Sequence, residues 1–143
     1  MTKARSSDSL ERFATGVAGL DAILSGGLLR GATYIVRGPP GAGKTILGNQ
    51  ICFHRVASGE RALYVTLLAE SHARMPAHLG SLEFFDPTPI AASLVYLSGY
   101  RALEQDGLTG LLDQVRKEIL TSAGHVFTQG PESKQARRQA GRR

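Results

Sequence analysis

Gly38-Pro39-Pro40-Gly41-Ala42-Gly43-Lys44-Thr45 stands directly after Ala32-Thr33-Tyr34-Ile35-Val36-Arg37 and directly before a stretch carrying Ile46, Leu47, Ile51, Cys52 and Val56. The run 32–36 is compact, β-branched and aromatic, and it lies between glycines, so it reads as a buried strand. The apolar positions after Lys44 recur at helical spacing and stop at Ser58-Gly59, so that stretch reads as a helix. A G-x-x-x-x-G-K-[ST] sequence between a strand and a helix has the chemistry of a phosphate-cradling loop. Glycines at 38, 41 and 43 let successive backbone N–H groups turn inward with no Cβ in the way. Lys44 supplies a point charge able to reach phosphate oxygens, and Thr45 supplies a hydroxyl for a magnesium ion. The helix N-terminus adds a dipole of the right sign. The candidate binding set is therefore Gly38, Pro39, Pro40, Gly41, Ala42, Gly43, Lys44 and Thr45, with Thr45 the candidate metal ligand.

Outward from this loop the chain alternates. Upstream, Leu20, Ile23 and Leu24 suggest a short helix that Gly26-Gly27 would end. Downstream, Arg61–Leu68 is a continuous apolar run of strand length, and Ser93–Leu97 is another strand candidate. Between them, 71–79 has the pattern of a short helix broken or kinked at Pro76. From Gly107 to Leu120, Leu108, Leu111, Leu112, Val115 and Ile119 predict an amphipathic helix. Strands alternating with helices place the chain in the α/β class, with a mostly parallel sheet flanked by helices. After Leu120 the text turns polar and basic, and a disordered tail is expected there.

The composition is that of a folded protein: 143 residues, 42% hydrophobic and 20% charged, with no Trp. The net charge of +5 belongs to the end of the chain, where Lys134, Arg137, Arg138, Arg142 and Arg143 stand without an acid, which leaves 12 basic and 12 acidic residues over 1–133. The body of the chain thus carries no net charge to signal nucleic acid, and the arginines, without interleaved aromatics, read as a solvated end, with contact to nucleic acid as the alternative. The lone Cys52 excludes an internal disulfide and a cysteine-based zinc site, and it reads as a small core residue. His54, His72, His78 and His125 lack metal-ligand spacing. No stretch approaches the length of a membrane span or a signal peptide, so a soluble, cytoplasmic protein is expected.

Around the loop the residues become more specific. Thr15-Gly16, Gly19-Leu20-Asp21, Gly26-Gly27-Leu28 and Gly31, followed by the strand candidate and GPPGAGKT, make the stretch from Phe13 to Leu120 resemble the KaiC-like branch of the RecA superfamily of P-loop ATPases. The resemblance implies ATP as nucleotide, Mg²⁺ as cofactor, and assembly into a homo-oligomeric ring or filament with nucleotide between subunits. It also implies an acid at the end of the strand after the loop helix that orients the attacking water. Glu70 occupies that place, although Ala69 stands where the family often has a second acid. The family's further acid, closing an apolar strand after the Gly107–Leu120 helix, has no counterpart in the sequence. The resulting division is a flexible leader over 1–12, an incomplete RecA-like ATP-binding domain over 13–120, and a basic tail over 121–143. A reading frame cut or shifted near residue 121 would account for that tail. Two functions follow: an ATPase working through Glu70, or a nucleotide-binding or subunit-interaction remnant that does not hydrolyse.

Overall fold

The computed structural model describes residues 11–67, 74–122 and 125–129. The chain begins with a small antiparallel pair, β1 (Arg12–Phe13) and β2 (Leu28–Leu29), in which Arg12 faces Leu29 and Phe13 faces Leu28. Between them lies α1 (Ala18–Ile23), in the place predicted from Leu20, Ile23 and Leu24. Its apolar face is not what holds it, since no residue of α1 is buried and Ile23 is 81% exposed. Asp21 does that work: one carboxylate oxygen accepts from the Thr15 N–H and hydroxyl, both at 2.7 Å, and the other from the Gly16 N–H at 3.2 Å. Thr15 itself is fully buried. Gly27 has to be glycine, because its φ is +106° and a Cβ would come within 2.0 Å of the Phe13 carbonyl oxygen.

These contacts hold the Asp21 carboxyl below its ordinary value of 3.8, the Thr15 hydroxyl contributing most. A carboxyl depressed in the folded state adds stability above the unfolded value and loses it as pH falls through the folded one. Asp21→Asn is therefore expected to lower the urea midpoint at pH 7. The gap to the parent should close as the pH is taken below 3.8. A gap that persists unchanged at pH 2 would count against this account.

The leader was expected to run through residue 12, yet Glu11 and Arg12 belong to the fold. The Arg12 guanidinium donates to the carbonyls of Leu24 and Gly27 at 3.0 and 2.9 Å. Arg30 pairs with Glu11 at 2.8 Å and with Glu60 at 2.6 Å, and Glu60 also pairs with the buried Arg55. The Arg55 guanidinium lies over the Phe13 ring at 4.9 Å, so charge and aromatic contact fasten the leading pair to the turn after the next helix.

That helix is α2 (Lys44–Ala57), and a short turn leads from it into β3 (Ala62–Thr66). The Glu60 N–H bonds back to the Arg55 carbonyl in this turn, which sends β3 antiparallel to α2. The first turn of α2 is thereby placed toward the carboxyl end of the strand. All five residues of β3 are buried, as an apolar strand covered on both faces requires. β3 is the centre of a three-stranded sheet ordered β4-β3-β5, with both ladders parallel. β4 (Leu94–Ser98) sets Leu94 beside Ala62 and Ser98 beside Thr66, and β5 (His125–Gln129) sets His125 beside Ala62 and Gln129 beside Thr66.

One face of the sheet packs Cys52 and Phe53 of α2 with Ala62, Tyr64, Leu79 and Leu94. Phe84 and Phe85 meet the Phe53 ring at 5.9 and 5.5 Å. Cys52 is the core residue expected, and burial pushes its thiol well above the ordinary range. The other face packs Leu63 and Val65 against Leu111, with Val115 and Ile119 beside them, from α4 (Tyr100–Ser122). Gly107, where the helix was expected to begin, is a break inside α4 at φ 68° and ψ −157°.

Three further expectations change. Residues 32–36 form no strand: Tyr34, Ile35 and Val36 are 45%, 90% and 57% exposed, and no ladder partner lies beside them among the described residues. Strand composition without a partner leaves the backbone unpaired, so the run stays irregular. Pro76 does not break α3 (Arg74–Leu79) but sits in its first turn, where a missing N–H costs nothing. The tail was expected to start at 121, yet α4 continues to Ser122 and β5 follows. His125-Val126-Phe127-Thr128-Gln129 is too short and mixed to stand out as apolar, but the free side of β3 offers it a ladder. The expected leader at 1–10 and the tail at 130–143 lie outside the described residues.

Candidate functional site

Residues 38–45 make a tight turn into α2. The Ala42 N–H bonds to the Pro39 carbonyl at 3.2 Å, and the Leu47 N–H to the Gly43 carbonyl at 2.8 Å, which starts the helix. Gly41 and Gly43 both have φ of +81°, and a Cβ on either would meet no atom within 4 Å. The requirement for glycine here is thus conformational, and the space beside the backbone is open. Pro39 and Pro40 carry no N–H, so the donors of the turn come from Gly38 and from Gly41 onward.

Gly43 caps α2 without a side-chain bond, and no acid stands in the first turn. A helix N-terminus of this kind presents N–H groups and a positive dipole end. The Lys44 ammonium is fastened to the carbonyls of Gly38 and Pro39 at 3.0 and 2.9 Å, so it stays over the turn. One cation, a dipole end and open left-handed glycines form an arrangement suited to an anion with several oxygens.

Beneath the turn lies a polar cluster that the sequence did not announce. Asn49 is fully buried on the otherwise apolar inner side of α2. Its amide nitrogen donates to the Thr45 carbonyl at 2.8 Å and approaches the Met75 sulfur at 3.5 Å, while its amide oxygen accepts from the Tyr96 hydroxyl at 2.6 Å. The Tyr64 ring lies 5.6 Å from that of Tyr96 and against the α2 backbone, where a Cβ at Gly48 would stand 3.4 Å from its edge. Burial pushes the Tyr64 phenol up to about 12 and the Tyr96 phenol higher still. Tyr96 is partly buried against the core, with its hydroxyl committed to Asn49. The signal that could have found this cluster is a lone Asn four residues after Thr45, among Ile46, Leu47, Ile51 and Cys52.

Of the predicted site residues, 38–45 lie together at the N-terminus of α2, and Glu70 lies outside the described residues. Thr66, the last residue of β3, is buried four positions before it.

The family model that describes the KaiC ATPase matches residues 13–83. The chain belongs to the KaiC-like branch of the RecA-superfamily P-loop ATPases. Among relatives of this KaiC-like chain, the UPF0273 protein of Methanopyrus kandleri is 37% identical over 59 residues, which is 41% of this chain and 23% of that protein. The DNA repair protein RadA of Mycolicibacterium smegmatis is 30% identical over 127 residues, covering 73% of this chain and 26% of RadA. RadA of Aquifex aeolicus is 46% identical over 56 residues, 39% of this chain and 12% of that protein. The match to the KaiC-like chain thus spans about a quarter or less of each of these relatives. Among the described residues of the KaiC-like chain, no helix is long and apolar enough to cross a membrane.

Proposed function

We propose that residues 38–45 bind the phosphates of Mg-ATP and that Glu70 orients water for hydrolysis of the γ-phosphate. The observation carrying the first part is the turn itself. Two left-handed glycines with open space beside them stand at an uncapped helix N-terminus, under a lysine held across the loop. A triphosphate fits this donor set, because its oxygens take backbone N–H groups and a cation together. Thr45 would give the accompanying magnesium one hydroxyl oxygen, the nucleotide and water giving the rest. When bound, the metal neutralises charge on the phosphates. The chain's own part is to hold the phosphate tail through the turn, to bring Lys44 against it, and to deliver water from Glu70. For Glu70 the support is its place in the sequence: it comes four residues after Thr66, the last residue of β3, and the carboxyl end of a parallel sheet is where open α/β sheets take their ligands. Assembly of copies around the nucleotide is the partner reading that the family favours.

Titration of the chain with a fluorescent ATP analogue, chased with unlabelled ATP and paired with a phosphate-release assay, tests both parts. Saturable, ATP-displaceable binding with slow release that Glu70→Gln removes is the expected result. Binding without release would leave the chain a nucleotide-binding module, and no saturable binding would end the proposal.

A further inference from the structure

Asn49 is a costly residue in its place. It is fully buried inside α2, and its side-chain neighbours Met75 and Tyr96 pack against the core face around Cys52 and Leu94. Asparagine is a poor residue for a helix interior, and a buried amide costs free energy unless its bonds are made. A leucine would fill similar space without either cost. What Asn49 contributes therefore lies in what its bonds hold.

A carbonyl oxygen can only accept, so the amide presents its NH₂ to the Thr45 carbonyl, at 2.8 Å. That turns the amide oxygen toward Tyr96, whose hydroxyl donates to it at 2.6 Å and locks the amide in this sense. The Thr45 carbonyl and the Ile46 N–H belong to one planar trans peptide and point in opposite directions. The Leu47 N–H is taken up by the Gly43 carbonyl, so Ile46 carries the last N–H at the start of α2 that the helix does not use itself. We infer that Asn49, oriented by Tyr96, is a positioning residue for the phosphate site: by holding the Thr45 carbonyl from below, it aims the Ile46 N–H out of the helix at a phosphate oxygen of the nucleotide. A bond accepted by the carbonyl also polarises the peptide and strengthens that donor. This rests on the reading of residues 38–45 as a nucleotide site and extends it by one residue. Asn49 does not touch the nucleotide and acts through the 45–46 peptide alone.

The test uses the whole chain carrying Asn49→Leu together with Tyr96→Phe. Replacing both partners by apolar groups of similar shape leaves neither without the other, a change that is close to neutral or stabilising for the fold. The thermal midpoint is thus expected to equal or exceed that of the wild type. Affinity for a fluorescent ATP analogue is expected to fall by about fivefold to tenfold, the size of one hydrogen bond. Inorganic tripolyphosphate, which competes through phosphate oxygens only, should lose the same factor. Tyr96→Phe alone leaves the amide in place but unlocked, and should weaken both ligands by about twofold to threefold. Where the double variant is not recovered folded, this single variant carries the test, judged by the two affinities. Affinity equal to that of the wild type overturns the inference. A loss that comes with a lowered midpoint in the double variant overturns it too, since that marks the pair as holding the helix. So does a loss for the ATP analogue that tripolyphosphate does not share, which places the effect away from the phosphates. In all three cases the wild type still binds and the nucleotide site stands, whereas a wild type that does not bind the analogue overturns both readings.

Discussion

Replacing Lys44 by alanine is expected to weaken ATP-analogue binding by about tenfold to a hundredfold while leaving the thermal midpoint nearly unchanged. The size follows from the bond lost. A hydrogen bond from a charged donor contributes about 1.5 to 3 kcal/mol, and each 1.4 kcal/mol is a factor of ten in affinity. The specificity follows from where the lysine sits: among the described residues its ammonium bonds to the Gly38 and Pro39 carbonyls, at exposed positions, and neither bond holds the sheet or its two packed faces. The measurement is equilibrium titration beside a melt followed by circular dichroism. Equal affinity in the two proteins would remove Lys44 from the site. A collapsed melt would instead show that its two loop bonds matter to folding.

The largest effect on stability is expected at Leu94. This residue of β4 is completely buried and packs with Cys52, Phe53, Ala62, Tyr64 and Leu79. Leu94→Ala removes its outer carbons from a site walled by a helix, the neighbouring strand and Leu79, none of which can close fully over the gap. The expected cost is about 2 to 5 kcal/mol. Against a total of about 5 to 15 kcal/mol for a domain, that is a large share, and the thermal midpoint should fall by roughly 10 °C or more. Leu120→Ala is the control, because Leu120 is 81% exposed and its truncation should stay within about 0.5 kcal/mol. Similar losses at both positions would show that the packing described for β4 is not what holds the sheet.

The contrast between two leucines shows where the sequence was legible. Continuous burial made β3 readable, because a strand covered on both faces needs an unbroken apolar run, and Ala62–Thr66 supplies one. α4 was readable through Leu111, Val115 and Ile119, which do face the sheet. Leu108 and Leu112 obey the same spacing and are 64% and 53% exposed, since spacing defines a stripe but not its width. Residues 32–36 misled for a different reason. Their composition is that of a strand, but a strand also needs a neighbour, and pairing is a property of the whole fold. β5 misled in the opposite sense, its mixed residues hiding a ladder that β3 makes available. At the site, the glycine turn was visible because its chemistry is local and consecutive. Asn49, Tyr64 and Tyr96 come from a helix and two strands, and only the fold sets them side by side.

The position of β3 between its two neighbours also orders events in time. Its ladder with β4 closes over the segment 67–93, whereas its ladder with β5 has to wait for the segment 67–124, about twice as much chain. A doubling of loop length costs only about 0.6 kcal/mol of closure entropy, yet that cost falls before any β5 contact forms to offset it. The α2–β3–β4 unit, whose contacts are nearer in sequence, is thus the part that collapses first, and α4 with β5 is laid onto a surface already made. Amide exchange should register that history, with the β3–β4 amides slowest to exchange and β5 opening ahead of them.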